Sequence, residues 1–137
     1  MKLEKIIYAK LNAKQKEIYN FQKLAGRLAD YGFNCIKLHD DWQGADFLAY
    51  HKDGERTLKI QLKGRLAIAK KYQNKDLHMA FRTSETWYLV PHDELVRVVG
   101  KVTPWLQTVS WKQKGHYSSQ SPSKELLNRL SRYALIE

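Results

Sequence analysis

A turn at Asp53-Gly54 between two extended runs constrains the fold of this chain more than any other feature. The first run covers residues 45–51 and the second covers 56–63. Asp-Gly between such runs is a strong signal for a β-hairpin, because both turn residues must tolerate a positive φ. The sequence therefore predicts a hairpin over residues 44–63.

The register of this hairpin brings three polar side chains together. If Asp53-Gly54 is the centre of the turn, opposed residues have numbers that sum to 107, so Asp46 lies across from Gln61. Lys63 lies two residues beyond Gln61 and shares its face, diagonal to Asp46. The other face of the second strand carries Leu58, Ile60 and Leu62. A carboxylate, an amide oxygen and an ammonium close to one point could hold a divalent cation and a water.

Asp46, followed after the hairpin by Gln61-Leu62-Lys63, resembles the PD-(D/E)xK motif of restriction-endonuclease-like nucleases. Ala45 stands where the motif has Pro, and Gln61 where it has a carboxylate, as in QxK members such as some transposon end-cleaving nucleases. Holliday-junction-resolvase-like nucleases are a second similar group. The resemblance implies one α/β domain over residues 1–137, with a mixed central β-sheet, a β-hairpin that carries the active site, and flanking helices.

The resemblance also implies a metal-dependent endonuclease that hydrolyses phosphodiester bonds in DNA. Asp46 and Glu17 are expected to bind Mg²⁺, with Mn²⁺ as a substitute, and the side-chain oxygen of Gln61 and the carbonyl of Leu62 to add neutral ligands. Lys63 is expected to orient the attacking water and to stabilise the transition state. The expected catalytic residues are Glu17, Asp46, Gln61 and Lys63.

The first helix provides the candidate position of Glu17. Asn12 is predicted as the N-cap of a helix over residues 13–31, with Gln15 at the capping-box position and Gly32 after the end. The helix has an apolar stripe of Ile18, Phe21, Leu24, Ala25 and Leu28. Glu17 is predicted to point along this buried stripe, where a carboxylate needs a partner such as the metal. The alternative is an ordinary first-turn acid that complements the helix dipole.

Two further acids are rival metal ligands. Residues 33–38 are predicted to form the first strand, antiparallel to the first hairpin strand, and a polar loop over 39–44 follows. Asp40 and Asp41 lie in this loop. Loop acids near a strand end are more often solvated or capping.

The charge of the chain favours a polyanionic partner. The net charge is +10 with a pI of about 9.7, and residues 59–75 contain six cations and no acid. The predicted nucleic-acid-binding residues are Arg65, Lys70, Lys71 and Tyr72, which would contact phosphates beside the candidate site. Residues 65–72 suit either a strand or a helix. The alternatives are a solvated charged face and a generally basic protein.

The rest of the chain is predicted to complete the sheet and its helices. His92 is predicted to be a surface or capping residue, and core packing is the commoner use of Trp87, Trp105 and Trp111. The expected elements are strands over 77–81 and 86–90, helices over 91–99 and 122–133, and a polar loop over 112–121.

The sequence also limits compartment and partners. Cys35 is the single cysteine, which fits a reducing cytoplasm. No apolar run approaches the roughly 20 residues that span a bilayer, and residues 1–5 lack the apolar core of a signal peptide. The apolar C-terminal half could supply a homodimer contact. Two alternatives to the DNA nuclease remain open: a non-catalytic nucleic-acid-binding module and an RNA-cleaving nuclease or toxin.

Overall fold

A mixed six-stranded sheet forms the centre of the molecule in the computed structural model, which describes residues 1–136. The strands are β1 (Phe33–Trp42), β2 (Ala45–His51), β3 (Thr57–Leu62), β4 (Leu66–Ala69), β5 (Leu77–Thr83), β6 (Thr86–Pro91), β7 (His116–Ser119) and β8 (Ala134–Leu135). The helices are α1 (Ala13–Ala29), α2 (His92–Val102) and α3 (Lys124–Arg129). The central order is β1-β2-β3-β5-β6-β8, while β4 and β7 form a separate antiparallel pair. Only β3 and β5 run parallel among the central neighbours of the described chain.

The hairpin of β2 and β3 has the predicted register. Phe47 pairs with Ile60, and Tyr50 pairs with Thr57. Gly54 in the turn has a φ of 75°, a conformation that glycine adopts without steric cost. The same register continued by one position places Asp46 opposite Gln61.

Helix α1 begins where its capping signal predicts. The Asn12 side chain accepts a hydrogen bond from the backbone of Gln15, and the Gln15 side chain accepts one from the backbone of Asn12. Leu24 and Leu28 are fully buried against one face of the sheet, together with Phe47 of β2. This packing fixes α1 across the hairpin.

The opposite face of the sheet holds the larger core. Side chains of β5 and β6 pack there against α2 and α3, and β4 adds Leu66 and Ile68. Trp111 belongs to this core and Trp87 to the α1 side, so core packing is confirmed for both. An α/β protein with a mixed sheet, a hairpin at its centre and flanking helices was predicted, and this fold class is confirmed.

Several predicted boundaries differ from the structure. Strand β1 continues to Trp42, so it includes residues that were predicted as loop. Helix α2 passes through Gly100 to Val102. Gly100 packs closely against Leu106, since an added Cβ would come within 2.9 Å of a Leu106 methyl.

The predicted polar loop over 112–121 contains regular structure. A π-helical turn spans Ser110–Lys114, and β7 follows after Gly115, where the chain has a φ of 79°. The predicted last helix over 122–133 is shorter, because a 3₁₀ turn at Ser131–Tyr133 replaces its end and leads into β8. None of the helices within residues 1–136 has the length and apolar character needed to cross a membrane.

Candidate active site

Asp46 lies at the end of the hairpin where β2 and β3 cease to pair. Its carboxylate accepts a hydrogen bond of 2.9 Å from the backbone N–H of Leu62. Burial raises the pKa of Asp46, while the Leu62 bond and the charge of Lys63 oppose that rise. Asp46 is therefore a desolvated carboxylate that a cation would stabilise.

A small cavity of about 170 Å³ opens beside this carboxylate. We call it the acidic cavity, because its lining includes four carboxylates, those of Glu17, Asp40, Asp41 and Asp46. Leu62 also lines it, as do Lys14 and Lys37 at its rim. The negative charges of Asp41 and Glu17 both raise the pKa of Asp46, so the three carboxylates are close enough to interact.

Glu17 reaches the acidic cavity, but the prediction that it is buried is wrong. Its side chain is 58% exposed and lies 4.0 Å from the Lys14 ammonium and 3.9 Å from that of Lys37. The physical reason is that the first turns of α1 are little covered: Ile18 is also 42% exposed, and the first buried residue of the helix is Asn20. An exposed Glu17 with two lysine partners needs no metal to be stable.

Asp41 is a candidate that the sequence analysis treated as a minor rival. The extension of β1 and a register irregularity between Lys37 and Trp42 bring it to the cavity. Its charge raises the pKa of Asp46 and of Tyr72. The signal in the sequence was the pair of acids Asp40 and Asp41, both of which line the cavity.

Gln61 is held in the interior below the hairpin end. Its side chain is 7% exposed, and its Oε1 atom has no hydrogen-bond partner within residues 1–136. An unpaired buried amide oxygen is costly. Gln61 lines neither of the two cavities at this end of the hairpin.

Lys63 faces a second and larger cavity, of about 560 Å³. We call it the basic cleft, because Lys63, Arg65 and Lys71 line it and no acid does. Consecutive residues of the β4–β7 pair form its wall, over 67–69 and 116–118. The ambiguous residues 65–72 therefore form strand β4 followed by a 3₁₀ turn.

Lys70 does not join the other cations in the basic cleft. Its ammonium donates a hydrogen bond of 3.3 Å to the carbonyl of Lys112 and lies over the Trp111 ring. The structure thus separates Lys70 from Arg65 and Lys71, although all three were predicted to bind nucleic acid.

Tyr72 has a different role from the predicted open contact with nucleic acid. Its ring is 4% exposed and packs in the core, with the ammonium groups of Lys63 and Lys71 at 6.0 Å and 5.2 Å from the ring centre. Burial, with the charges of Asp46 and Asp41, raises the pKa of Tyr72 to about 12. Tyr72 is a protonated support for two lysines, and it also lines the basic cleft.

The residues at the hairpin end fit a partly hydrated divalent cation. Two observations support the fit: the buried Gln61 oxygen has no partner within residues 1–136, and the desolvated Asp46 carboxylate lies on the strand that pairs with the strand of Gln61. Within residues 1–136 no group of three or more His, Cys, Asp or Glu side chains is arranged to hold a metal ion. Mg²⁺ commonly uses only one or two carboxylates and keeps several waters, so this donor set suits an open magnesium site rather than a closed protein cage.

Comparisons with known proteins give distant structural likenesses alone. No protein-family model and no curated protein sequence matches the chain. It is similar to the Holliday junction resolvase Hjc of Archaeoglobus fulgidus, with a TM-score of 0.45 and 16% identity over 57% of this chain and 74% of the resolvase. It is also similar to the bacterial homing endonuclease I-Ssp6803I, with a TM-score of 0.49 and 15% identity over 82% of this chain and 78% of the endonuclease. Likenesses this distant do not show a shared function.

Proposed function

We propose that this protein is a Mg²⁺-dependent endonuclease that hydrolyses phosphodiester bonds in DNA. The observation that carries the proposal is the hairpin end, where the desolvated Asp46 carboxylate and the unpartnered Gln61 oxygen belong to two paired strands and the Lys63 ammonium follows directly after the second strand. The resemblance of Asp46 and Gln61-Leu62-Lys63 to the QxK form of the PD-(D/E)xK motif points to the same chemistry.

In this mechanism Asp46, Glu17, the Gln61 side-chain oxygen and the Leu62 carbonyl hold the cation. Bound Mg²⁺ supplies polarisation of a phosphoryl oxygen and compensation of the negative charge that develops on it. Asp41 is a further ligand candidate through its place in the acidic cavity.

Lys63 acts on the reacting phosphate from the other side of the hairpin end. Its ammonium lines the basic cleft, and its charge also reaches Asp46. A protonated ammonium orients the attacking water through hydrogen bonds and stabilises the pentacovalent transition state. Tyr72 holds Lys63 in place through the contact of its ring with the ammonium.

DNA is the proposed substrate because the positive charge is concentrated next to the acidic cavity. Arg65 and Lys71 line the basic cleft with Lys63, and phosphate contacts of this kind make affinity depend on salt. The proposal includes action in the cytoplasm. It also includes a homodimer, and light scattering of the purified protein tests this oligomeric state.

The test is incubation of the purified protein with labelled DNA, with Mg²⁺ or with EDTA, and comparison with Asp46→Ala. Cleavage by the wild type with Mg²⁺ alone, at least about 100-fold faster than by Asp46→Ala, is expected. Glu55→Gln is the matched control, because Glu55 lies in the turn at the far end of the same hairpin, and it should cleave as the wild type does. Equal cleavage by Asp46→Ala would contradict the proposal.

A second candidate, a non-catalytic nucleic-acid-binding module, is favoured by one observation. The described residues hold no group of three ionisable metal ligands, and Gln61 is neutral. A binder would retain DNA without cleaving it under any metal. Labelled tRNA in the same assay separates the third alternative, an RNA-cleaving nuclease.

A further inference from the structure

The basic cleft has the shape of a ligand pocket, beyond what contacts to backbone phosphates require. Its volume is about 560 Å³, within the roughly 300–1,000 Å³ of pockets that enclose small organic ligands. A phosphate group held by lysine side chains needs only their charge, and would leave most of this space unfilled.

The register of β4 and β7 brings small side chains, Ala67, Ala69 and Ser118, to the floor of the cleft, and the rings of His116 and Tyr117 line it beside them. Ala67 pairs with Ser118 and Ala69 with His116, and side chains of paired residues share a face. Leu66 and Ile68 alternate with them and are buried in the core. Ile68 also lines the cleft, so the floor is weakly polar and anchored by the core.

The rim of the cleft has the charge that a nucleotide phosphate requires. Lys63 and Arg65 leave β3 on one side, and Lys71 follows β4 on the other. Arg65 is exposed and makes no ion pair with any residue in the described range 1–136, so its guanidinium is free to bind a phosphate. A weakly polar floor under a cationic rim suits a base and sugar below and a phosphate above.

The cleft also adjoins the position of the proposed reaction. Lys63 lines it, and the adjacent Leu62 lines the acidic cavity. A strand whose scissile phosphate lies at Asp46 would thus present its neighbouring nucleotide to the cleft. A nucleotide paired and stacked in a duplex cannot enter such a hollow, whereas an unpaired one can.

We propose that the basic cleft binds one unpaired nucleotide of a DNA strand, next to the phosphate at the acidic cavity. This inference rests on the proposed DNA nuclease function and specifies its substrate as DNA with an unpaired or extruded nucleotide. The enzyme then prefers such DNA to perfectly paired duplex of the same sequence.

The test measures dissociation constants by fluorescence anisotropy, in EDTA so that no cleavage occurs. The probes are a labelled duplex with a central unpaired segment and its fully paired counterpart. We expect about tenfold tighter binding to the unpaired probe, the size that one accommodated base contributes. Equal affinities for the two probes would overturn the inference.

Filling the floor should remove this preference. Ala67→Leu and Ser118→Leu each place a larger side chain on the floor from a different strand, and Ala67→Ser and Ser118→Ala are the matched controls that keep it open. The leucine variants should bind both probes equally, with unchanged affinity for the paired duplex. Circular dichroism checks that each leucine variant is folded. If one of the two variants does not fold, the result from the folded variant is used. Retained preference in a folded leucine variant counts against the cleft.

Competition separates the nucleotide from its phosphate and requires no variant. Deoxythymidine monophosphate should displace the unpaired probe at lower concentration than inorganic phosphate does. Equal competition would mean that the cleft binds phosphate alone, which contradicts the inference. Mg²⁺-dependent cleavage without a preference would refute this cleft and leave the nuclease proposal standing, whereas a preference without cleavage would refute the nuclease alone.

Discussion

The carboxylate of Asp46 on β2 accepts a 2.9 Å hydrogen bond from the backbone N–H of Leu62 on β3. This bond fixes the carboxylate at the boundary between an acid-lined cavity and a cleft lined by cations. Leu62 and Lys63 follow Gln61, the residue opposite Asp46. Leu62 lines the acidic cavity, and Lys63 lines the basic cleft. A single hairpin end thus separates the proposed metal side from the proposed nucleic-acid side.

Replacing Gln61 with Glu should strengthen metal binding. The Gln61 oxygen is buried and without a partner, and a carboxylate there adds an anionic ligand to a site that has few. Gln61→Glu is expected to bind Mn²⁺ about tenfold more tightly in isothermal titration calorimetry. Equal or weaker binding would argue against Gln61 as a ligand.

Replacing Lys63 should reduce cleavage far more than binding. Lys63→Ala removes an ammonium that acts on Asp46, and the expected loss of cleavage rate is about 100-fold. Lys63→Arg should restore little, because a planar guanidinium does not reproduce a compact ammonium. Lys70→Ala is the matched control, since the Lys70 ammonium is bound to the Lys112 carbonyl. A comparable loss in Lys70→Ala would show a general effect of charge.

Gly44→Ala should cost more stability than Gly54→Ala. Both glycines have a positive φ, 87° at Gly44 and 75° at Gly54, and an alanine in this region costs about 1–2 kcal/mol. A Cβ on Gly44 would also lie 3.1 Å from the Tyr72 ring and 3.3 Å from Leu77, whereas none lies near Gly54. The additional cost is about 1 kcal/mol or more, measured by urea unfolding. Equal losses of unfolding free energy in the two variants would mean that the Tyr72 ring moves away from the new Cβ at no energetic cost.

Gly44→Ala should also slow cleavage, while Gly54→Ala should not. The displaced Tyr72 ring supports Lys63, so the change reaches the site without altering any of its charges. Cleavage that is unaffected in a folded Gly44→Ala protein would contradict this support.

The free energy of unfolding should fall in mild acid because of buried histidines. His92 is 1% exposed, accepts a hydrogen bond from the Ala69 N–H at Nε2 and packs against Tyr72. Burial lowers the pKa of His92 below its ordinary 6.5, partly opposed by Asp93. The neutral form is thus favoured in the folded state, so this stability is present above pH 6.5 and is lost as pH falls below it.

Urea unfolding between pH 7.5 and 5 measures this dependence. His92→Gln should reduce the slope by up to about 1.4 kcal/mol per pH unit, and His78, whose pKa burial also lowers, should account for part of the remainder. If the unfolding free energy of His92→Gln depends on pH as steeply as that of the wild type, His92 is not a cause of the acid destabilisation.

The sequence predicts those features of the fold that depend on neighbouring residues. The capping box of α1 and the hairpin register follow from local patterns, and the register, continued by one position, places Asp46 opposite Gln61. His92 is different: it was predicted at the surface, but α2 begins beneath β4 and buries it. The residues around Pro91-His92 do not indicate that β4 will cover the first turn of α2.

The composition of the candidate site depends on tertiary contacts in the same way. Asp41 reaches the acidic cavity because β1 continues past Leu38 through an irregular pairing. The polar residues 39–44 favour a loop and do not predict this continuation. Glu17 is exposed because the first turns of α1 are little covered, and the first buried residue of the helix is Asn20. Helical spacing defines a face of α1, but only the packed sheet decides how much of that face is covered.

The most direct test of the proposed metal site is anomalous diffraction from crystals soaked in Mn²⁺. The account predicts one manganese peak within coordination distance of the Asp46 carboxylate and the Gln61 Oε1 atom, at about 2–2.5 Å. Crystals that bind manganese elsewhere and leave the Asp46 carboxylate without a metal would contradict it.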